Sequence, residues 1–311
     1  MFLQQLNQSF SWRDPMFQEI KQRHLDMTTA VALPSANLIT GQPGAGKSTI
    51  VRKQSKFLTN AVTINVDNLK LYYPGYKEKQ IVSPFLRNLE AVHAARIWAV
   101  RLFAEAAINR RNIVMETVSS SGIASVISCM FWTLKTRGYY NHVHALAVNA
   151  RCSTASIFQR LEQSERMEGF GRWVAFSKHN HCYLYLTKEI GSRLWSHAFE
   201  EISICKRDGT TVYQGADPAV AVQALVLERN RPWTDDEIGT HTKLVETVRA
   251  AAEQKATQRP GWYLAAVEEL ASQARQIEDR KYQPQSMLGR DMTALKDIMQ
   301  AAYLTPREPN M

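Results

Sequence analysis

Short apolar runs alternate with longer amphipathic stretches along most of the chain, and this alternation predicts a parallel β-sheet. The short runs are rich in β-branched residues, whereas the stretches between them carry apolar residues at helical spacing. Strands that alternate with helices are typical of an α/β fold in which helices cover both faces of the sheet. The predicted strands are 36–40, 62–66, 112–116 and 142–148, with a hairpin at 201–206 and 211–213. The predicted helices are 48–57, 84–109, 122–135, 154–165 and 176–197.

The two ends of the chain depart from this alternation. The N-terminal residues predict one or two short helices, interrupted at Asp14-Pro15, and no strand is evident after about Glu228. Thr234 and Glu237 form a capping-box pattern that starts the helical C-terminal part. Helices are predicted there at 235–257, 262–280 and 290–303. We therefore divide the chain into an N-terminal helical segment (1–28), an α/β domain (29–228) and a C-terminal helical extension (229–311).

The composition is that of a soluble globular protein, since 45% of the 311 residues are hydrophobic and 22% are charged. No apolar run reaches the length of a membrane span, and the first residues lack the pattern of a signal peptide. The cysteines form no CxxC pair, which predicts reduced thiols. They are Cys129, Cys152, Cys182 and Cys205. A cytoplasmic protein without a membrane partner is therefore expected.

The net charge of +9 suits an anionic partner, such as a phosphorylated metabolite, an acidic protein or nucleic acid. The basic residues are scattered, and Arg110-Arg111 is one of few dense spots. A nucleic-acid surface is typically a basic tract with interleaved aromatic residues, so the sequence argues against sequence-specific nucleic-acid binding.

Histidines and tryptophans are further candidates for chemistry. Two histidine pairs, His142/His144 and His179/His181, have no obvious third ligand, which argues against a zinc site. Five tryptophans are expected to be core or hinge residues rather than stacking platforms. They are Trp132, Trp173, Trp195, Trp233 and Trp262.

One motif matches a phosphate-binding loop in full. Residues 41–48 have the sequence GQPGAGKS, which fits G-x-x-x-x-G-K-[ST] between a predicted strand and a predicted helix. Glycines let successive backbone N–H groups point at the phosphates, Lys47 reaches the β- and γ-phosphates, and Ser48 offers a hydroxyl to Mg²⁺. The motif predicts ATP–Mg²⁺ binding and a three-layer fold of the P-loop NTPase type. The residues expected at the nucleotide are Gly41, Gln42, Pro43, Gly44, Ala45, Gly46, Lys47, Ser48 and Thr49.

Two acidic residues follow predicted strands at the edge of the sheet where ligands bind. Asp67 comes after the second strand, where it can orient an attacking hydroxyl and accept its proton. The alternative is that Asp67 only caps the next helix. Glu116 ends the third strand and can hold Mg²⁺ through water or pair with a basic residue. The alternative is an interaction with the dipole of the next helix.

Arg160 and Arg172 flank a glycine-containing segment after the fourth strand, and Arg166 and Lys178 compete for the same role. Arginines on a mobile lid stabilise the transferring phosphoryl group in many kinases. A single arginine on a helix is more often a solvated surface residue. The pair that straddles the segment favours a lid that closes over the phosphate.

The order of these pieces resembles the zeta-toxin family over about residues 30–215. The run from Pro34 to Ser48 is similar to the family's entry into its P-loop, and Asp67 to Tyr76 (DNLKLYYPGY) is similar to its stretch after strand two. The resemblance implies a kinase that phosphorylates UDP-N-acetylglucosamine on a sugar hydroxyl with ATP and Mg²⁺. It also implies that Asp67 is the catalytic base and that Lys47, Glu116, Arg160 and Arg172 complete the site.

The sequence departs from the family pattern where the acceptor sugar is held. Thr117-Val118-Ser119-Ser120 stands in place of a Gly-Thr-x-Arg arrangement, and Trp98-Ala99-Val100-Arg101 supplies no acidic residue in the preceding helix. The ATP half of the prediction is therefore better supported than the identity of the acceptor.

Two other classes of function compete with a kinase. A P-loop ATPase coupled to a partner would hydrolyse ATP without an acceptor. A nucleotide-binding interaction protein with decayed chemistry would bind ATP without turnover.

Zeta-like proteins usually meet a small helical antitoxin that blocks the nucleotide site. The resemblance therefore implies such a partner, docked on residues 1–28 or on the extension after Glu228. Alternatively, one of these two segments supplies the block in cis.

Overall fold

A six-stranded sheet forms the centre of the fold in the order β2-β3-β1-β4-β5-β6. The computed structural model describes residues 14–57, 60–85 and 88–279. The first five strands run parallel, and β6 pairs antiparallel with β5. The strands are β1 Ser35–Thr40, β2 Ala61–Asn65, β3 Asn112–Glu116, β4 Tyr140–Leu146, β5 Glu201–Cys205 and β6 Thr211–Gly215. The predicted α/β fold with a mainly parallel sheet and a terminal hairpin is confirmed.

Twelve α-helices occur among the described residues, and two short 3₁₀-helices accompany them at Lys70–Tyr72 and Ala256–Gln258. The α-helices are α1 Pro15–His24, α2 Lys47–Phe57, α3 Val66–Leu69, α4 Tyr76–Val82, α5 Leu89–Ile108, α6 Ser121–Lys135, α7 Ala150–Glu168, α8 Phe176–Ile190, α9 Arg193–Ala198, α10 Pro218–Asn230, α11 Asp235–Gln254 and α12 Gly261–Glu278.

Alternate residues of the strands supply two different apolar cores. Leu38, Ile64 and Met115 face the larger core, which is closed by α1, α5, α6 and α8 to α10. Ile39 and Val114 face the opposite side, where α2 covers the sheet. This period-two division is what a parallel sheet buried on both faces requires.

Several predicted boundaries are wrong, and caps explain them. The predicted helix 84–109 begins too early, because Asn88 caps α5 by accepting from the amide of Ala91, and α4, which was not predicted, ends at Val82. The predicted helix 176–197 divides into α8 and α9 at Gly191, where Ser192 caps the second helix. Helix α10 was not predicted, although Asp217 caps it before a proline.

The chain ends contribute to the fold in different ways. Phe17 and Ile20 of α1 lie in the larger core, and Asp14 caps α1 and accepts from Nε1 of Trp98. The extension forms α11 and α12, with the predicted capping box of Thr234 and Glu237 present. The predicted helix 290–303 lies outside the described residues. Within the described part of the chain, no helix is both long and apolar enough to traverse a bilayer.

Candidate active site

The phosphate-binding loop joins the central strand β1 to α2, as the motif predicts. Gly44 and Gly46 have φ values of 78° and 91°, in the left-handed region that favours glycine. A Cβ at Gly44 would collide with the carbonyl oxygen of Ser153, and one at Gly46 would lie 3.2 Å from Cγ of Arg207. The loop is therefore packed tightly against the start of α7 and the β5–β6 turn.

Gln42 is anchored from three sides. Its Nε2 donates to the carbonyl oxygen of Val148 at 2.8 Å and to Oγ of Ser153 at 3.2 Å. Its Oε1 accepts from Nη2 of Arg229 at 3.0 Å. The Arg229 side chain lies over the Tyr183 ring, and burial lowers the pKa of Arg229 to about 10. Sequence reasoning gave Arg229 no role, because 187 positions separate it from Gln42.

Lys47 is buried and turned towards its own loop. Its Nζ donates to the carbonyl oxygens of Gln42 at 3.1 Å and Gly41 at 3.3 Å. Burial lowers the pKa of Lys47, while the negative charges of Glu116 and Asp67 act in the opposite direction. Lys47, Asp67 and Glu116 therefore share one electrostatic environment, although they come from three different strand ends.

Asp67 is held by two cations. Nζ of Lys70 lies 2.6 Å from Oδ1, and Nη2 of Arg160 lies 3.2 Å from Oδ2. Burial raises the pKa of Asp67, but Lys70 and Arg160 lower it by more, so the net pKa lies well below its usual range. The cap of α3 is Asn65, which accepts from the amides of Asp67 and Asn68. The alternative of Asp67 as a helix cap is therefore wrong, and its carboxylate is available to the site.

Glu116 accepts a hydrogen bond of 2.7 Å from Nδ2 of Asn65. One side chain, Asn65, thus caps α3 and fixes Glu116 at the same time. The helix-dipole alternative has no support in this geometry, because α6 begins only at Ser121. The roles of Asn65 and Lys70 were not assigned from the sequence, although the spacing of three residues between Asp67 and Lys70 on a helical turn was a usable signal.

The two predicted lid arginines have different partners. Arg160, on α7, reaches Asp67, whereas Arg172 is paired with Glu168 and lies over the ring of Phe170. The charges of both arginines, of Asp67 and of Glu168 all act on the pKa of Tyr76, which burial raises. Phe170 in turn packs edge-on against Tyr76, with ring centroids 6.4 Å apart, so Arg172 lies near Tyr76, a residue that was quoted in the sequence pattern without a role.

The loop that follows β3 is tied to β1 and α8 by buried hydroxyls. Oγ1 of Thr40 and Oγ of Ser119 lie 3.3 Å apart, and Ser119 also donates to Glu189. Burial raises the pKa of Glu189 to about 7. The segment 117–120, which departs from the zeta-toxin pattern, is therefore held in place by buried hydrogen bonds of Ser119.

The residues present fit a magnesium ion bound together with nucleotide phosphates. Ser48 is an exposed hydroxyl next to Lys47, Thr49 follows it half-buried, and the Glu116 carboxylate lies in the same electrostatic environment. Hydroxyl and carboxylate oxygens are the donors that Mg²⁺ prefers, usually with phosphate oxygens completing the set. In the described ranges no three His, Cys, Asp or Glu side chains are grouped as an all-protein metal site.

The histidine pairs have hydrogen-bonding partners of other kinds. The rings of His142 and His144 are tilted by 40° with centroids 3.9 Å apart, and His142 contacts Ser203 and Glu201. His179 contacts Ser153 at 2.8 Å. All four cysteines are free.

Two comparisons with known proteins bear on the site. A family model described as Zeta toxin matches residues 18–217. A structure from the PezAT chromosomal toxin-antitoxin system of the human pathogen Streptococcus pneumoniae matches with a TM-score of 0.63 and 20% identity, over 78% of this chain and 98% of that chain. No curated protein matches the sequence. The matched residues contain the phosphate loop, Asp67, Glu116 and both arginines.

Proposed function

Because this chain belongs to the zeta toxin family, we propose that it is a kinase that transfers the γ-phosphoryl group of ATP to a hydroxyl of a small molecule. UDP-N-acetylglucosamine is the acceptor proposed first, from the family resemblance. The observation that carries the proposal is the contact of Asp67 with Arg160 in the same electrostatic environment as Lys47. A base, a phosphate-binding lysine and a lid arginine are the parts that phosphoryl transfer needs.

The proposed reaction breaks the bond between the γ-phosphorus of ATP and the oxygen that joins it to the β-phosphorus, and this oxygen leaves with ADP. The acceptor oxygen attacks the γ-phosphorus in line, and the proton of its hydroxyl passes to Asp67. Ser48, with Glu116 near it, would hold Mg²⁺, which when bound would neutralise charge on the phosphate oxygens. Lys47 leaves the carbonyl oxygens of its own loop to bind the β- and γ-phosphates.

The low pKa of Asp67 has a consequence for this step, because a carboxylate held by two cations is a weak base. Arg160 is the cation that can leave, since its side chain is 37% exposed and its contact is the longer one. When Arg160 turns to the transferring phosphoryl group, only Lys70 remains on Asp67. The pKa of the carboxylate then rises as the charge to be stabilised develops. Arg172 would join from the segment beside Tyr76.

A toxin of a toxin–antitoxin system is the biological role that we propose. The matched pneumococcal protein comes from such a system, and a helical antitoxin protein is the partner expected here. ATP and a nucleotide sugar as substrates imply a cytoplasmic reaction. Growth arrest on expression of the wild type but not of Lys47→Ala would support this role, and equal growth of both would contradict it.

Release of ADP by the purified chain tests the reaction. With ATP–Mg²⁺ alone we expect little ADP, and with UDP-N-acetylglucosamine a rate at least about tenfold higher. Lys47→Ala should lose several orders of magnitude of that rate, whereas Lys77→Ala, at an exposed position of α4, should keep it. Equal ADP release with and without the acceptor would favour a partner-coupled ATPase. ATP binding without any turnover would favour a decayed binding protein, after a wider set of hydroxyl acceptors had been tried.

A further inference from the structure

The helices α11 and α12 form a core of their own with α7 and α8. They lie beyond residue 217, where the match to the family model ends. Ala155, Phe158 and Leu161 of α7 are buried there against apolar residues of both helices. Helix α7 also carries Arg160, so one face of this helix belongs to the extension and another belongs to the active site.

A buried ionic network fixes α7 against the extension. Arg259 is 8% exposed as a whole residue, and its Nη2 lies 2.6 Å from Oε2 of Glu162 and 2.6 Å from Oε2 of Glu165. The Tyr263 hydroxyl donates to Oε1 of Glu162 at 2.7 Å. Glu162 follows Arg160 by two positions, which is about 200° around a helix. The network therefore holds the side of α7 opposite to Arg160 and sets the rotation of the helix that presents it.

The lid segment, residues 169–175, is held by the same helices. The ring of Trp173 lies among aromatic rings from α7, α8, α12 and the turn between α4 and α5. Its centroid distances are 5.3 Å to Phe158, 5.4 Å to Phe176, 5.5 Å to Trp262, 5.5 Å to Phe85 and 5.8 Å to Tyr263. Arg172, which precedes this tryptophan, takes its position from the same packing.

Gly171 shows how closely the lid segment lies on α7. A Cβ at this glycine would meet Cβ of Pro84, would lie 2.5 Å from Cδ1 of Leu161 and would lie 2.9 Å from Oε1 of Glu165. Glu165 is also a partner of Arg259. The segment is thus in contact with a carboxylate that the extension itself holds.

We infer that the start of α12 and the turn before it, through Arg259, Trp262 and Tyr263, position the lid segment and Arg160 for phosphoryl transfer. The inference rests on the proposed function. Arg259, Trp262 and Tyr263 act as positioning residues, because their contacts are with α7 and Trp173. In this inference the C-terminal extension supports the lid segment and Arg160, instead of blocking the nucleotide site in cis. A block predicts faster turnover when the contacts are weakened, whereas a support predicts slower turnover.

The test uses the full-length chain with Trp262→Leu and Tyr263→Phe combined. Arg259→Ala is avoided, because it would leave the buried Glu162 with Lys255 at 3.6 Å in place of the guanidinium at 2.6 Å, and breaking a buried ion pair is strongly destabilising. Trp132→Leu is the matched control, since Trp132 is 56% exposed on α6. The measurements are backbone amide hydrogen exchange, ATP affinity and acceptor-dependent kcat and KM. Trp262→Phe in the Tyr263→Phe background tests rescue.

We expect amide exchange in residues 169–176 to become at least about tenfold faster while exchange in β1 and β3 is unchanged. ATP affinity should stay within about threefold of wild type and kcat should fall about tenfold, with partial rescue by the phenylalanine. Unchanged exchange in 169–176 would overturn the support, and faster exchange with unchanged or higher kcat would overturn its role in transfer. If wild type shows no acceptor-dependent turnover, the proposed function fails, while hydrogen exchange still decides whether α12 holds the lid segment.

Discussion

Two acids of this protein have opposite environments. Asp67 lies between Lys70 and Arg160, which hold its pKa low and keep it ionised. Glu189 accepts a hydrogen bond from the neutral hydroxyl of Ser119, and burial raises its pKa to about 7. The first acid is the one proposed as the catalytic base, whereas the second holds the loop after β3 against α8. Environment, rather than residue type, separates the two roles.

Glu189 should give the protein a pH dependence of stability. The folded state binds this proton more tightly than the unfolded chain, so the contribution of Glu189 is greatest at low pH and is lost as pH rises through about 7. Replacing Glu189 by Gln should reduce the loss of unfolding free energy between pH 5.5 and 7.5 by on the order of 2 kcal/mol. Urea denaturation at the two pH values measures it. Glu78→Gln, at an exposed position, is the control, and an unchanged pH dependence in Glu189→Gln would contradict the assignment.

At the scale of elements, the four-residue helix α3 positions Asp67 in the candidate active site. The β-branched run 62–66 was predicted as a strand that ends just before Asp67, and β2 ends one residue earlier, at Asn65. The difference matters because Asn65 is the cap that starts α3 and also the donor to Glu116. A pattern of apolar residues predicts a strand, but it does not show which polar residue will cap the next turn.

Two substitutions of Asn65 separate its two contacts. Asn65→Ala removes the cap and the donor to Glu116, and we expect a loss of about 1 kcal/mol of unfolding free energy together with slower turnover. Asn65→Ser keeps a capping hydroxyl without the amide that reaches Glu116, so stability should largely return while turnover should stay low. Chemical denaturation and ADP release measure the two effects. Full turnover in the serine variant would show that the bond to Glu116 has no part in the reaction.

At the scale of the molecule, sequence patterns predicted the features that residues close together in the chain determine. The phosphate loop, the hairpin and the capping box at Thr234 depend on residues close in sequence. The alternation of apolar and amphipathic stretches also predicted the parallel sheet, although its strands pair over long distances in the sequence. The contacts of Arg229 with Gln42 and of Arg259 with Glu162 span 187 and 97 positions, and no local signal announces them. The predicted boundary at residue 228 likewise gave no sign that the extension packs on the helix of Arg160. Long-range packing is therefore what the sequence could not supply.

The proposed function requires transfer of phosphate to an acceptor hydroxyl with Asp67 as the base. Labelled ATP tests this transfer most directly. Wild type, Asp67→Asn and the exposed control Asp26→Asn are incubated with γ-labelled ATP, Mg²⁺ and UDP-N-acetylglucosamine, and the label is separated into phosphorylated sugar and free phosphate. We expect labelled sugar from wild type and from the control, and at least about 100-fold less from Asp67→Asn at similar ATP affinity. Label found only in free phosphate would contradict the proposed transfer to the sugar. Equal labelled sugar from Asp67→Asn would contradict the role of Asp67 as the base.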